Sequence, residues 1–108
     1  MAARSTRSTQ YFGISVTLTP ASSGQNLLIL LQAVDPNVPA TVRELTIQAQ
    51  SVAVVDVGDA AISATRRGYE LQVGDSKTYR SSSVQDVPIG ALYLFSAGAA
   101  VVNVEGWA

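Results

Sequence analysis

The sequence predicts a single all-β domain, a small antiparallel β-sandwich or jelly-roll-like barrel of about eight strands, with a flexible N-terminal arm. Three observations support this prediction. The chain has 108 residues, the length of one ordinary domain. Val, Ile, Thr and Tyr, the residue types enriched in strands, are frequent. Glycines and prolines interrupt the chain at short intervals, a spacing that favours many short strands.

The N-terminal end divides into a polar arm and the start of the domain. Residues 1–9 have no apolar periodicity, so we assign them to the arm and residues 10–108 to the β-sandwich. Residues 11–19 alternate between apolar and small polar side chains, which predicts a strand with one buried face. The buried face is expected to carry Phe12, Ile14, Val16 and Leu18.

The next segments are less uniform. Residues 26–34 are apolar on both faces and favour a doubly buried strand, although a short buried helix also fits residues 27–31. Residues 35–39 contain two prolines and form a loop. Residues 41–50 begin with a pattern that could cap a helix, but their alternation and β-branched content favour a strand.

Turn residues divide the rest of the chain into further short strands. These are predicted at residues 51–57, 60–65, 69–73, 76–80, 91–95 and 99–105. Residues 60–65 are expected to pair back on the strand before them, residues 76–80 to return after the turn at Gly74, and the last two strands to form a hairpin around Gly98. The predicted core includes Leu45, Ile47, Leu71, Leu92 and Leu94.

Composition argues against several classes of function. The chain contains neither Cys nor His, which removes thiol nucleophiles, histidine bases, disulfides and the usual zinc sites. Its net charge of −1 provides no basic field for a nucleic acid. No apolar run approaches the ~20 residues of a membrane span. We therefore expect no enzyme, cofactor or metal, and no nucleic-acid or membrane partner.

Acidic residues near the turns have a simple explanation in backbone structure. Asp59 and Asp75 each follow a turn glycine, where Asp is favoured because its side chain hydrogen bonds to nearby backbone. Together with Asp56 they could offer oxygen ligands to calcium, but the loop spacing of a calcium site is absent. The predicted metal ligands are therefore none.

The candidate contact residues lie in the arm, at its junction with the domain and in one turn. Arg4 and Arg7 are too few for strong nucleic-acid binding but suit an arm that orders against a neighbouring subunit. Tyr11 and Phe12 would anchor that arm, as aromatics do in interfaces. The Arg66-Arg67 turn is either a contact for an anion or a protein, or a solvated turn.

Low surface charge favours assembly over catalysis. Only 14% of residues are charged, against about 25% in typical soluble domains. Much of the exterior must therefore consist of Ser, Thr, Ala, Val and Gln. Such a surface suits a chain that packs against other chains, including copies of itself.

Residues 42–107 resemble a family of small β-sandwich virion proteins of tailed bacteriophages. The resembling pieces are RELTIQA (43–49), VDVGDAAISAT (55–65), GYELQVGDS (68–76), ALYLFSA (91–97) and VNVE (102–105). The resemblance implies a structural capsid decoration or cement protein, or a head–tail or tail component. It also implies no catalytic residues, partners among the major capsid protein or other virion subunits, and a location in the virion after synthesis in the host cytoplasm.

A carbohydrate- or ligand-binding β module is the alternative. Such a module needs exposed aromatic side chains clustered on one face. The sequence offers Tyr69, Tyr79, Tyr93 and Trp107 for this purpose.

Overall fold

A computed structural model describes residues 11–20, 23–82 and 84–108. The predicted arm, residues 1–9, lies outside this part of the chain, and so do Arg4 and Arg7. The described strands are β1 (Tyr11–Leu18), β2 (Gln25–Asn26), β3 (Thr41–Val42), β4 (Glu44–Ala49), β5 (Val55–Gly58), β6 (Tyr69–Leu71), β7 (Ser76–Arg80), β8 (Val87–Pro88), β9 (Tyr93–Phe95) and β10 (Ala100–Trp107). They are joined by one α-helix, α1 (Leu27–Val34), and a 3₁₀ helix (Ile89–Ala91).

The strands form two four-stranded antiparallel sheets and one small pair. Sheet I has the order β1-β10-β4-β7, sheet II has the order β2-β9-β5-β6, and β3 pairs with β8. The predicted all-β sandwich is confirmed, with about ten strands where the sequence suggested eight. Because most strand neighbours are distant in sequence, chain segments from both ends meet in each sheet.

Alternation of side chains builds the inner face of sheet I. Every second residue of β1 is buried, as predicted, and the same alternation runs through β4 and β10. The inward residues are Phe12, Ile14, Val16, Leu18, Leu45, Ile47, Ala49, Ala100, Val102 and Val104. Since their neighbours along each strand point outward, sheet I has one apolar and one solvated face.

Sheet II supplies the other half of the core. Val55, Val57, Leu71 and Leu94 are buried against the inner face of sheet I. Four of the five predicted core leucine and isoleucine positions are therefore confirmed. Leu92 is only partly buried, because it ends the 3₁₀ helix and does not lie on β9.

The segment predicted as a doubly buried strand is the helix α1. The side chain of Asn26 accepts a hydrogen bond from the backbone N–H of Ile29, which caps the first turn. The backbone N–H of Asp35 donates to the carbonyl of Leu31 at the other end. Leu27 and Leu31, four residues apart, lie on the buried face. The strand prediction was wrong because a run of leucines has no periodicity that separates the two structures.

Three predicted pairings also differ from the structure. Residues 60–65 form turns, apart from an isolated bridge between Ser23 and Ser63, and β6 takes their place beside β5. The strand predicted over 51–57 begins at Val55. The last two strands do not form a hairpin: β9 lies in sheet II and β10 in sheet I. The same is true of β6 and β7, so both turns cross from one sheet to the other.

Candidate functional site

The outer face of sheet I is a polar surface with few charges. The cross-strand register places Ser15 beside Asn103, and Thr46 beside Thr78. The Ser15 hydroxyl donates to Asn103 Oδ1 at 3.0 Å, and the two threonine hydroxyls lie 3.0 Å apart. Hydroxyl and amide groups that already hydrogen bond to each other keep a partner when water is removed. A protein can therefore cover this face at a low desolvation cost.

One end of this face carries two exposed aromatic residues, Tyr11 and Trp107, beside the carboxylate of Glu105. We call these three residues the aromatic corner. Tyr11 on β1 lies opposite Trp107 on β10, and their ring centroids are 4.5 Å apart at an interplanar angle of 48°. The two side chains are 46% and 47% exposed. A Cβ at Gly13 would lie 2.9 Å from the Tyr11 hydroxyl, so the glycine lets this ring lie along the strand.

The aromatic corner also has a local electrostatic signature. Partial burial, followed by the charge of the nearby Glu105, raises the pKa of Tyr11. On the neighbouring strands, Trp107 pairs with Glu44 of β4, and Glu44 pairs with Arg80 of β7. The closest charged atoms of Glu44 and Arg80 are 3.7 Å apart. Aromatic rings bordered by charged and hydrogen-bonding groups are typical of protein-contact sites.

Of the two predicted anchor residues, only Tyr11 is at the surface. Phe12 is 9% exposed and its ring packs over Gly106, where a Cβ would approach the ring to 2.5 Å. Phe12 is therefore part of the core. The structure adds Trp107 and Glu105, whose link to Tyr11 depends on the pairing of β1 with β10 at opposite ends of the chain.

The two arginines of the predicted turn contact are both engaged within the chain. Arg67 Nε and Nη2 donate to Asp56 Oδ2 and Oδ1 at 2.6 and 3.0 Å, and the Asp56 carboxylate is buried. The backbone N–H of Gly68 also donates to Asp56 at 3.1 Å. The hydrogen bond and charge of Asp56 raise the pKa of Arg67. Arg67 is thus a structural residue that ties the loop after β5 to the core.

Arg66 makes a second, exposed ion pair in the same loop. Its Nη1 donates to Asp59 Oδ1 at 2.7 Å, and this hydrogen bond, with one from the backbone N–H of Ala61, lowers the pKa of Asp59. These groups border a small pocket of about 180 Å³ that Ile62 also lines. Because each guanidinium already has a carboxylate partner, the pocket has little net charge to offer an anion.

A second group of aromatic residues lies around Lys77. The Lys77 ammonium lies 4.6 Å from the ring centroid of Tyr69 and 5.3 Å from that of Tyr79. These contacts join the edge strands β6 and β7 of the two sheets. The aromatic residues named for carbohydrate binding therefore do not form one cluster, since Tyr69 and Tyr79 contact Lys77 while Trp107 contacts Tyr11.

The described residues contain no group of three acidic, His or Cys side chains placed to hold a metal ion. Asp56 and Asp59 are bound by arginines, and Asp75 accepts a hydrogen bond from the backbone N–H of Gln72. Within the same residues, no helix has the length and apolar character needed to cross a bilayer.

Comparison with known proteins does not assign the chain to a family. No protein-family model matches it, and no curated protein matches it significantly.

Proposed function

We propose that this chain is a non-catalytic structural subunit of a tailed-phage virion, a decoration or cement protein that binds the assembled capsid. The observation that carries the proposal is the outer face of sheet I, a polar face of low charge that ends in the aromatic corner. The sequence resemblance described above supplies the class of particle. A location in the virion and contact with the major capsid protein follow from the proposal.

The arrangement of the chain supports an interface role. The predicted arm precedes β1 in the sequence, and β1 begins with Tyr11 of the aromatic corner. A standard stable interface buries about 1,600 Å² in total, an area within reach of one sheet face plus an arm. The proposal needs no catalytic group, in keeping with the hydrogen bonds that join Asp56 and Asp59 to arginines.

The test is co-sedimentation of the purified chain with intact heads of the phage that encodes it. Trp107→Ala should weaken binding about tenfold or more, since truncating an aromatic hot spot costs about 2 kcal/mol or more and each ~1.4 kcal/mol is tenfold in affinity. The matched control is Tyr69→Ala, which removes a ring that is 53% exposed on the other sheet. Deletion of residues 1–9 should weaken binding while leaving the melting temperature of the domain unchanged. Equal binding by the wild type, by Trp107→Ala and by the chain lacking residues 1–9 would refute the proposal.

A glycan-binding module is the second candidate, favoured by one observation. The exposed rings of Tyr11 and Trp107 lie beside the Glu105 carboxylate, and aromatic faces with an adjacent acceptor can bind sugars. Trp107 is the only tryptophan in the chain, so its fluorescence reports on this corner alone. A saturable change in that fluorescence with one glycan, absent in Glu105→Gln, would favour the module. No change across a glycan array would favour the structural subunit.

A further inference from the structure

The four-stranded sheets have edge strands of very different character. β2 and β6, at the edges of sheet II, contain two and three residues, and short edges offer little surface for pairing. In sheet I, β7 is longer but carries Lys77 on its inward face and Arg80 at its end. Charged residues, especially inward-pointing ones, discourage a further strand from adding to an edge.

The remaining edge, β1, has none of these features. Its eight residues, YFGISVTL, contain no charge and no proline. The register with β10 pairs residues one to one along its whole length, so there is no bulge. Pro20, which lacks a backbone N–H, follows shortly after the strand ends. β1 is therefore a flat, uncharged edge of the kind that natural proteins ordinarily protect.

The hydrogen bonds of β10 reveal which backbone groups of β1 are open. Val101 directs both of its backbone groups away from β1: its carbonyl accepts from Gln50 N–H and its N–H donates to Ser51 Oγ, each at 2.9 Å. The Trp107 carbonyl likewise accepts from Arg43 N–H at 2.7 Å. In an antiparallel sheet the directions of the backbone groups alternate along a strand. The even-numbered residues of β10 therefore direct their N–H and C=O groups toward β1.

The register then fixes the open groups. Even-numbered residues of β10 pair with even-numbered residues of β1, which therefore direct their N–H and C=O groups inward. The odd-numbered residues direct theirs to the open edge, where the described residues provide no backbone partner. They are Tyr11, Gly13, Ser15 and Thr17, and all are exposed.

We infer that two copies of this chain pair through their β1 edges, antiparallel about a two-fold axis next to Ile14, to form a continuous eight-stranded sheet. In this register Tyr11 lies opposite Thr17 of the second copy, and Gly13 opposite Ser15. Each such pair exchanges both of its backbone hydrogen bonds, so every open group on β1 is satisfied. No like charges meet, because β1 has none.

The surroundings of β1 favour a second copy over an unrelated strand. A two-fold pairing places the inward apolar residues of the two strands next to each other, with Ile14 beside its own copy, so the apolar faces are continuous. The inference goes beyond the proposed function, since the pair forms whether the chain binds a capsid, a glycan or neither.

The first experiment measures self-association of the full chain by sedimentation at several concentrations. The wild type should form a concentration-dependent dimer. Ser15→Pro removes an outward N–H in each copy, and should weaken the dimer about tenfold or more. The control Ser76→Pro makes the same change at the first residue of β7, where proline is tolerated, and should leave the dimer intact. A monomeric wild type, or equal association of both variants, would overturn the inference.

The second experiment tests the register and does not depend on a proline. The chain has no cysteine, so Tyr11→Cys and Thr17→Cys can be made singly. Opposite residues of a hydrogen-bonded pair have Cα atoms about 5.5 Å apart, within disulfide range. Under mild oxidation a mixture of the two variants should give the covalent heterodimer, and neither variant alone should cross-link. Equal cross-linking by a single variant would refute the two-fold axis at Ile14.

A third measurement separates this pairing from a strand donated by the arm. Deletion of residues 1–9 leaves β1 intact, so the truncated chain should dimerise as the wild type does. Loss of the dimer on deletion would show that the arm makes the contact and would overturn the inference. A chain that dimerises but fails to bind heads would preserve this inference and refute the proposed function.

Discussion

Two substitutions in α1, Leu31→Ala and Ile29→Ala, test the largest departure of the structure from the sequence-based prediction. In a helix these residues lie on different faces, and in a strand they would share one. Leu31 is fully buried whereas Ile29 is 70% exposed. We therefore expect two very different losses of stability from truncating two side chains of similar size.

The magnitudes follow from burial. Leu31→Ala removes a core side chain and should lower the free energy of unfolding by about 2–5 kcal/mol. Ile29→Ala removes exposed surface and replaces a β-branched residue with the best helix former, so the change should be a few tenths of a kcal/mol at most. For a domain of this size the Leu31 loss corresponds to a fall in melting temperature of about 10 °C or more.

Urea unfolding followed by the fluorescence of Trp107 measures both changes with one probe. The slope of free energy against urea should be the same for both variants and the wild type, which shows that the midpoints report stability. Similar losses of more than 1 kcal/mol at Ile29 and Leu31 would be the pattern of a strand. That result would refute the helix and the core packing inferred from it.

Three further predictions concern the core and the titrating groups. Leu94→Ala should cost about 2–5 kcal/mol, and Leu92→Ala clearly less because Leu92 is only partly buried; equal losses in urea unfolding would contradict the assigned ends of β9. Because the pKa of Asp59 is lowered in the folded chain, its ion pair with Arg66 stabilises the fold at pH values above 3.8, the ordinary pKa of Asp, and this stabilisation is lost as the pH falls through the folded pKa. The difference in melting temperature between the wild type and Asp59→Asn should therefore shrink as the pH is lowered. A difference that does not change with pH would contradict the ion pair. Burial raises the pKa of Tyr79, and burial with Glu105 raises that of Tyr11, so Tyr11→Phe and Tyr79→Phe should each remove a phenolate absorbance step above the ordinary value of 10.0; a step removed at or below 10.0 would refute the assigned surroundings.

The sequence predicted individual strands well where one face is buried and the other solvated. β1 shows this, because its alternation gave both the strand and the four core residues. The helix α1 was harder, since all of its first five residues are Leu or Ile and fit either structure. Asn26 was the available signal: a side chain able to cap a helix stands immediately before the apolar run.

Strand pairing was less predictable than strand position, for a physical reason. The last two strands were expected to form one hairpin, and Leu94 of β9 and Val102 of β10 are both fully buried. They meet the core from opposite sheets, because the chain crosses between the sheets after β9. Two apolar faces can share a core either side by side or across it, and the alternation of residues is identical in the two cases.

The residues of the candidate site were visible in the sequence, but their partners were not, because those partners are distant along the chain. The basic turn at Arg66 and Arg67 was visible, but its acidic partners lie seven and eleven residues earlier and become neighbours only when the loop folds back. The sequence showed that Trp107 is aromatic but not which residue it contacts, because its neighbour Tyr11 is set by the pairing of the last strand with the first.

The contrast between β1 and β7 shows how one sheet can be both protected and available for assembly. Both strands lie at edges of sheet I and both expose backbone groups along their length. On β7 the Lys77 ammonium is held between two tyrosine rings, so an incoming strand would disturb a charge and two cation–π contacts. On β1 the exposed residues are a tyrosine, a glycine, a serine and a threonine, which present no charge to a second strand. A sheet with one guarded and one open edge adds a single partner and then stops, since pairing of two open edges leaves only guarded ones. The same polypeptide can thereby form a closed pair and remain unable to polymerise, while the outer face of β4, β7 and β10 stays free for a different partner.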